Sequence, residues 1–260
     1  MKKLLALCAG LMLVASSAYA QANGLHMSWN ACANNAAHTF DAAFACDGTP
    51  HNLYGTFSVA ASTPGVVAMD GIIDYLFQSA DVPSFWQFQS GGCNETGVAI
   101  SAAKPTTVCG SLTENTTTVC STGGTGCSAF ITAYAFGPSI NQPPNRGRML
   151  VALARASTSP VTLAANTGTN AHYAWGLTYF EDNAQEIGGT CGGCPTGVSL
   201  TWNQAVFYNT SAVGGGEGIA VAISSADAGS ADASVVSNCS ACSLVGTHHR
   251  SWGQLKSLYR

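Results

Sequence analysis

Residues 198–208 read Val-Ser-Leu-Thr-Trp-Asn-Gln-Ala-Val-Phe-Tyr, and the first six alternate strictly between apolar and polar side chains. This period of two is typical of a β-strand with one buried face, because successive side chains of a strand point to opposite sides of the sheet. Other segments show the same alternation, or short apolar runs bounded by turn-forming residues. Strands are therefore predicted at Leu53–Ala60, Val66–Phe77, Phe85–Gln89, Ser128–Phe136, Met149–Ala154, His172–Glu181, Val198–Tyr208 and Gly218–Ser224.

The spacing of these strands predicts an all-β fold. Regular intervals and turn-rich connections favour an antiparallel β-sandwich or jelly-roll-like domain over a parallel α/β sheet. Because no fixed-period repeat and no clear linker divides the chain, residues 21–246 are predicted to form a single domain. One helix is predicted at the end, where Ser251 and Gln254 fit a capping box.

The composition excludes several classes of protein. Of the 260 residues, 47% are hydrophobic and only 8% are charged, with a net charge of −4. A disordered chain would be richer in charge, and a nucleic-acid-binding protein would carry a basic face. A long coiled coil would need more Glu and Lys. The composition fits a secreted β protein rich in Gly, Ala and Thr.

An export signal is predicted over residues 1–20. Lys2 and Lys3 precede the apolar run Leu4–Val14, and Ala18-Tyr19-Ala20 supplies the small residues that a signal peptidase requires. Cleavage is expected after Ala20, which places the mature protein outside the cell or on its surface. No other stretch approaches the roughly 20 apolar residues of a transmembrane helix.

The mature chain has ten cysteines, an even number that predicts structural disulfides in an oxidising compartment. They are Cys32, Cys46, Cys93, Cys109, Cys120, Cys127, Cys191, Cys194, Cys239 and Cys242. The connectivity cannot be deduced from the sequence, and the simplest pairing joins each cysteine to its next neighbour. The two CxxC elements can also form a zinc site, but 44 residues separate Cys194 from Cys239, too many for a zinc ribbon. A thioredoxin-like role is disfavoured because Pro195-Thr196-Gly197 and a strand follow the first element.

Catalytic motifs are few. The sequence has no HExxH, no GxSxG elbow before a helix and no P-loop. Asp70 with Asp74, or Glu181 with Asp182 and Glu186, can supply the two carboxylates of a glycosidase, but turn residues are the better interpretation. No cofactor is expected. Calcium stays open at Glu181–Asn183 or at Asp227 with Asp232, although neither segment matches a ligand motif.

Aromatic residues give a candidate binding surface. In the strand at His172–Glu181, alternation is expected to project Tyr173, Trp175 and Tyr179 to one face. Exposed and coplanar, these rings with Trp86 and Trp202 would stack on sugar rings. The competing interpretation is that the same side chains fill the core.

Several motifs carry a resemblance. Gly24-Leu25, Ser28-Trp29 with Cys32, Phe44-Ala45-Cys46, Trp86-Gln87-Phe88 and the ending Trp252–Arg260, of the form W-G-x-x-K-x-L-Y-R, are similar to a set of uncharacterised secreted proteins of environmental bacteria. The similarity extends over most of the mature chain. It implies a secreted bacterial protein and transfers no catalytic residue.

The sequence therefore predicts a non-catalytic secreted or cell-surface protein, structural or adhesive, that self-assembles. Weakly charged strand edges invite strand addition between copies, so the expected partners are copies of itself or the cell envelope. Residues 247–260 form a basic tail that would dock on an acidic neighbour or on the envelope. Its docking residues are Arg250, Trp252, Leu255, Lys256, Tyr259 and Arg260. The alternative is an extracellular carbohydrate-binding module that uses the aromatic residues.

Overall fold

A computed structural model describes residues 23–32, 39–109, 127–155, 160–165, 171–210, 218–230 and 232–239. The predicted signal peptide and the C-terminal tail with its helix lie outside these residues. The strands are β1 (Gly24–Trp29), β2 (Asp41–Ala42), β3 (His51–Ser58), β4 (Thr63–Phe77), β5 (Val98–Ser101), β6 (Cys127–Phe136), β7 (Arg146–Arg155), β8 (Val161–Leu163), β9 (His172–Tyr179), β10 (Val198–Asn209), β11 (Ile219–Ser224) and β12 (Ser234–Ser237). The helical segments are α1 (Thr106–Cys109) and the 3₁₀ turns Ser84–Trp86, Gly137–Ile140 and Gln185–Ile187.

The strands form two sheets. The first sheet has four strands in the order β1-β3-β9-β5. The second has eight, in the order β2-β12-β10-β4-β7-β6, with β11 beside β10 and β8 beside β4. Neighbouring strands are antiparallel except β2 and β12, which are parallel. The fold is the predicted antiparallel β-sandwich.

The two sheets enclose one large core of apolar and aromatic side chains. Trp175 of the first sheet meets Trp202 of the second with ring centroids 5.0 Å apart. The Tyr75 and Tyr179 hydroxyls, one from each sheet, are 2.7 Å apart. A chain with so few charged residues can hold this fold because large rings interdigitate between the sheets, and each fully buried apolar side chain contributes about 1.5–3 kcal/mol.

The predicted strand at Phe85–Gln89 is wrong. Residues Ser84–Trp86 form a 3₁₀ turn that buries Phe85 and Trp86 in the end of the core. Pro83 precedes this turn, and its fixed φ suits the start of a helical segment. Periodicity alone cannot separate a short buried strand from a buried turn.

Five strands were not predicted: β1, β2, β5, β8 and β12. Most are four residues or shorter, which leaves little room for a periodic pattern. The longer β1 was missed although Leu25, Met27 and Trp29 alternate with His26 and Ser28. The loop before β12 covers the free edge of β1, where Met27 N donates to Asp232 O at 2.8 Å.

A bulge changes the direction of one predicted aromatic side chain. The pairing of β3 with β9 shifts between Gly55 and Thr56, leaving Ala174 without an opposite residue. Trp175 therefore faces the core, whereas Tyr173 packs in a separate cluster on the outer side of the first sheet. The prediction that Tyr173 and Trp175 share a face is wrong for this reason.

Candidate functional site

The predicted aromatic platform is not on the surface. Trp86, Trp175, Tyr179 and Trp202 are fully buried, and Tyr173 is 1% exposed. Trp175, Tyr179 and Trp202 occupy the inner faces of the two sheets, and Trp86 enters the same core from its 3₁₀ turn. Tyr173, on the other face, is covered by the Cys32–Cys109 disulfide and its neighbours. The predicted exposed sugar-stacking surface is therefore wrong, and the core interpretation describes these residues.

Six of the cysteines are disulfide-bonded across the fold rather than to their neighbours in the sequence. The bonds are Cys32–Cys109, Cys46–Cys194 and Cys93–Cys191, with sequence separations of 77, 148 and 98 residues. Cys127 and Cys239 are also in disulfides, while Cys120 and Cys242 lie outside the described residues.

Sequential pairing of Cys32 with Cys46, of Cys93 with Cys109 and of Cys191 with Cys194 is therefore wrong. The physical reason is placement. Cys46, Cys191 and Cys194 join the main core cluster, whereas Cys32 and Cys109 lie in the cluster on the other side of the first sheet. In the entropic model, closing a loop of such length lowers the conformational entropy of the unfolded chain and so stabilises the fold by about 4–5 kcal/mol.

These bonds decide the interpretation of the CxxC element at residues 191–194. Each of its cysteines is oxidised to a distant partner, so the element neither forms an internal redox disulfide nor offers thiolates to zinc. The same applies to the group of Cys46, Glu186 and Cys194, whose potential ligand atoms lie within 4.8 Å of one another. A disulfide sulfur is not the thiolate that a metal requires.

Glu181 is a buried carboxylate at the end of β9. It accepts hydrogen bonds from the backbone N–H groups of Asp47 and Gly48, at 2.8 and 3.2 Å, and its other oxygen lies 3.1 Å from His51 Nε2. The His51 ring stacks on Phe44, with centroids 4.0 Å apart and planes at 8°. Glu181 thus fastens the segment before β3 to β9, and both of its oxygens already have protein partners.

The proposed calcium ligands Asp227 and Asp232 are also engaged. Asp227 Oδ2 accepts a hydrogen bond from Ser224 N at 2.8 Å, and Asp232 faces His26 at 3.7 Å. These contacts are those of turn residues, the interpretation favoured for such acids by the sequence.

A polar network lies on the outer face of the second sheet. Arg148 on β7 is 6% exposed and donates from Nε and Nη2 to the two oxygens of Asp74 on β4, at 2.5 and 2.9 Å. Asn203 on β10 donates to the same carboxylate at 2.9 Å, and the Tyr208 hydroxyl donates to Asp70 at 3.1 Å. Asp70 and Asp74 are four residues apart on one strand, roughly 14 Å, which is too far for a glycosidase pair.

A polar cleft of about 270 Å³ lies beside Glu181, at the end of β9. It is lined by Asn94, Thr96, Gly97, Phe180, Asp182 and Asn183. Asn94 is buried, donates to Phe85 O at 3.0 Å and accepts a hydrogen bond from Asn183 Nδ2 at 3.1 Å. These two hydrogen bonds fix the orientation of the Asn183 amide at the cleft.

The second sheet ends in strands that have a single pairing partner among the described residues. β6 ends the sheet on one side and, among the described residues, pairs only with β7. On the other side, β11 pairs only with β10. β6 reads Cys-Ser-Ala-Phe-Ile-Thr-Ala-Tyr-Ala-Phe and β11 reads Ile-Ala-Val-Ala-Ile-Ser, so neither contains a charged residue or a proline. The side chains of Phe130 and Ile219 are 51% and 44% exposed.

An edge of this kind offers unpaired backbone donors and acceptors to an added strand. Natural proteins usually protect such edges with lysine, proline, a covering segment or a bulge. Among the described residues, β6 has one of these features, a bulge at Thr132, where the pairing with β7 shifts. The sequence predicts an uncharged strand at Ser128–Phe136. It does not show that this strand lies at the border of a sheet.

Comparisons with known proteins place the chain in no family. No protein-family model matches it, and no curated protein matches it. Among solved structures, it is similar to the second type II cohesin module from the cellulosomal adaptor ScaA scaffoldin of Acetivibrio cellulolyticus. The identity is 6%, the match covers 74% of this chain and 87% of that chain, and the TM-score is 0.28. At this TM-score the similarity carries no argument about function. No helix of the described residues is long and apolar enough to cross a membrane.

Proposed function

We propose that this protein is a non-catalytic secreted or cell-surface structural protein that self-assembles by adding strands at the open edge of its second sheet. The observation that carries the proposal is β6, a ten-residue edge strand without a charge or a proline. Main-chain hydrogen bonds supply affinity in such strand addition, and the side chains of the added strand supply specificity.

The disulfides and the low charge support an extracellular setting. Disulfides that join distant parts of a chain form and persist in oxidising compartments. They also help to keep the sandwich folded outside the cell, because the chain has few charged residues to form ion pairs. The predicted signal peptide agrees with this location.

The assembly state of the purified secreted protein tests the proposal. Size-exclusion chromatography with light scattering is expected to show dimers or larger assemblies that dissociate on dilution. Phe130→Lys puts a charge on the open edge and is expected to shift the equilibrium to monomers.

Ala154→Lys is the matched control. It adds the same charge at an exposed position of β7, on the face of the same sheet but away from its edge. It should assemble like the wild type. A wild-type protein that stays monomeric at high micromolar concentration would contradict the proposal.

The C-terminal tail has a separate role in this proposal. Its three cations and its apolar residues would retain the assembled protein on an anionic envelope or on an acidic neighbour. Removing residues 247–260 is expected to release the protein from the cell surface into the medium. Equal retention of the truncated and full-length chains would exclude this role.

Saccharide binding in the polar cleft is the second candidate function. It is favoured by the half-buried Phe180 beside the Asp182 carboxylate and the oriented Asn183 amide, a combination that suits a sugar ring. A glycan array followed by calorimetry tests it. Binding should disappear in Asp182→Ala and persist in Phe130→Lys, which lies outside the cleft.

A further inference from the structure

We propose that β6 pairs with β6 of a second copy around a two-fold axis perpendicular to the second sheet. The result is one continuous sheet that runs through both copies. This inference rests on the proposed self-assembly and specifies its partner strand. Four features of the described residues carry it: strand direction, strand length, face matching and the absence of charge.

Strand direction distinguishes the possible pairings. From β6 through β7, β4 and β10 to β11, every neighbouring pair is antiparallel, so β6 and β11 run in the same direction. A half-turn about the sheet normal reverses β6 and keeps both cores on the same side of the joined sheet. Two copies of β6 related in this way are antiparallel.

The head-to-tail alternative joins β6 to β11 of the next copy. With both cores on one side, these strands would be parallel, and a parallel ladder is slightly less stable per residue. The ladder would also be limited by β11, which has six residues, whereas β6 has ten. Length and direction both favour pairing of β6 with itself.

The bulge makes β6 complementary to itself. Before Thr132, Ala129 and Ile131 face the core; after it, Tyr134 and Phe136 do. An axis between Thr132 and Ala133 places Ile131 opposite Tyr134 of the partner subunit. Every core-facing residue from Ala129 to Phe136 then faces a core-facing residue, although the bulge breaks the simple alternation.

The same register fits the outer face. Phe130, which is 51% exposed, comes to lie opposite Ala135 of the partner subunit. A large ring beside a small side chain packs without overlap, and aromatic residues are enriched in interface cores. Because β6 has no charged residue, the two-fold brings no like charges together.

Comparing lysine variants at the two edges tests the pairing. Phe130→Lys on β6 is expected to raise the dimer dissociation constant by at least about tenfold. Ala222→Lys, at an exposed position of β11, is expected to leave it unchanged. Hydrogen exchange of the β6 peptide should slow on dimerisation in the wild type and in Ala222→Lys, but not in Phe130→Lys.

The outcomes separate the two proposals. If both single variants are monomeric and their equimolar mixture forms dimers, pairing is head-to-tail; the two-fold is then wrong and self-assembly stands. If Ala222→Lys alone loses assembly, the interface is at β11 and the two-fold is again wrong. A monomeric wild type overturns both proposals.

Discussion

Replacing Glu181 with alanine is expected to destabilise the fold by about 2–3 kcal/mol. The carboxylate is fully buried and receives three hydrogen bonds, from Asp47 N, Gly48 N and His51 Nε2. Each hydrogen bond to a charged group contributes about 1.5–3 kcal/mol, so the sum of the three is at least about 4.5 kcal/mol.

Two features lower that figure. Asp47 is exposed, so water can replace part of what the backbone N–H groups lose. The Cys46–Cys194 disulfide also holds the same segment in place when the carboxylate is absent. His51, whose side chain is only 12% exposed, regains less from water. The expected loss of unfolding free energy is therefore well below the sum for the three hydrogen bonds.

Urea unfolding with intact disulfides, followed by tryptophan fluorescence, measures the effect. Asp182→Ala is the matched control, because it removes the adjacent but exposed carboxylate and should change the unfolding free energy by less than about 0.5 kcal/mol. A Glu181→Ala protein within 0.5 kcal/mol of the wild type would refute the role assigned to this carboxylate.

Three further predictions concern the core. Trp175→Ala should cost about 3–5 kcal/mol of unfolding free energy in urea titrations, since this ring is fully buried, and a loss below 1 kcal/mol would contradict its core position. Gly55→Ala should cost about 1–3 kcal/mol, because its Cβ would overlap the Trp175 indole, and the cost should largely vanish in a Trp175→Ala background. Burial raises the pKa of Tyr75, Tyr134 and Tyr179. The stabilising contribution of these neutral tyrosines is complete below pH 10. At higher pH the free energy of unfolding should fall, because the tyrosines of the unfolded chain ionise first. Unfolding midpoints at pH 9 and 11, compared with those of Tyr134→Phe, check this, and equal wild-type midpoints would exclude it.

The sequence predicted most of the second sheet because its strands β4, β6, β7 and β10 are long, with ten or more residues each. Val198–Tyr208 begins with a strict alternation and Val66–Phe77 is a long, mostly apolar run; they correspond to β10 and β4, the central pair of that sheet. The shorter β1 also alternates, with His26 and Ser28 between Leu25, Met27 and Trp29, but this pattern of only six residues was missed. Short strands such as β5 are held mainly by their neighbours, which a local pattern does not reveal.

The candidate site was predictable in part. An uncharged strand over Ser128–Phe136 is visible in the sequence, but its position at a sheet border depends on long-range pairing. The disulfide pattern is nonlocal in the same way, since the 148 residues between Cys46 and Cys194 bring no local signature. The prediction of an aromatic surface is wrong for a different reason. The alternation of a strand shows that its two faces differ, but it does not show which face is covered.

The two sheets treat their edges differently, and this contrast is the strongest reason to assign assembly to β6. The border strand β1 is covered by other parts of the chain: Met27 N donates to Asp232 O and Trp29 N donates to Thr39 O. No described segment pairs with the free side of β6 in this way. β6 is longer than β1 and contains no charged residue, whereas β1 contains only the histidine His26. A long uncharged edge left open on a secreted protein would promote uncontrolled association unless a defined partner occupied it. A two-fold pairing removes that hazard for both copies at once, because each β6 covers the other and no free edge remains at the junction.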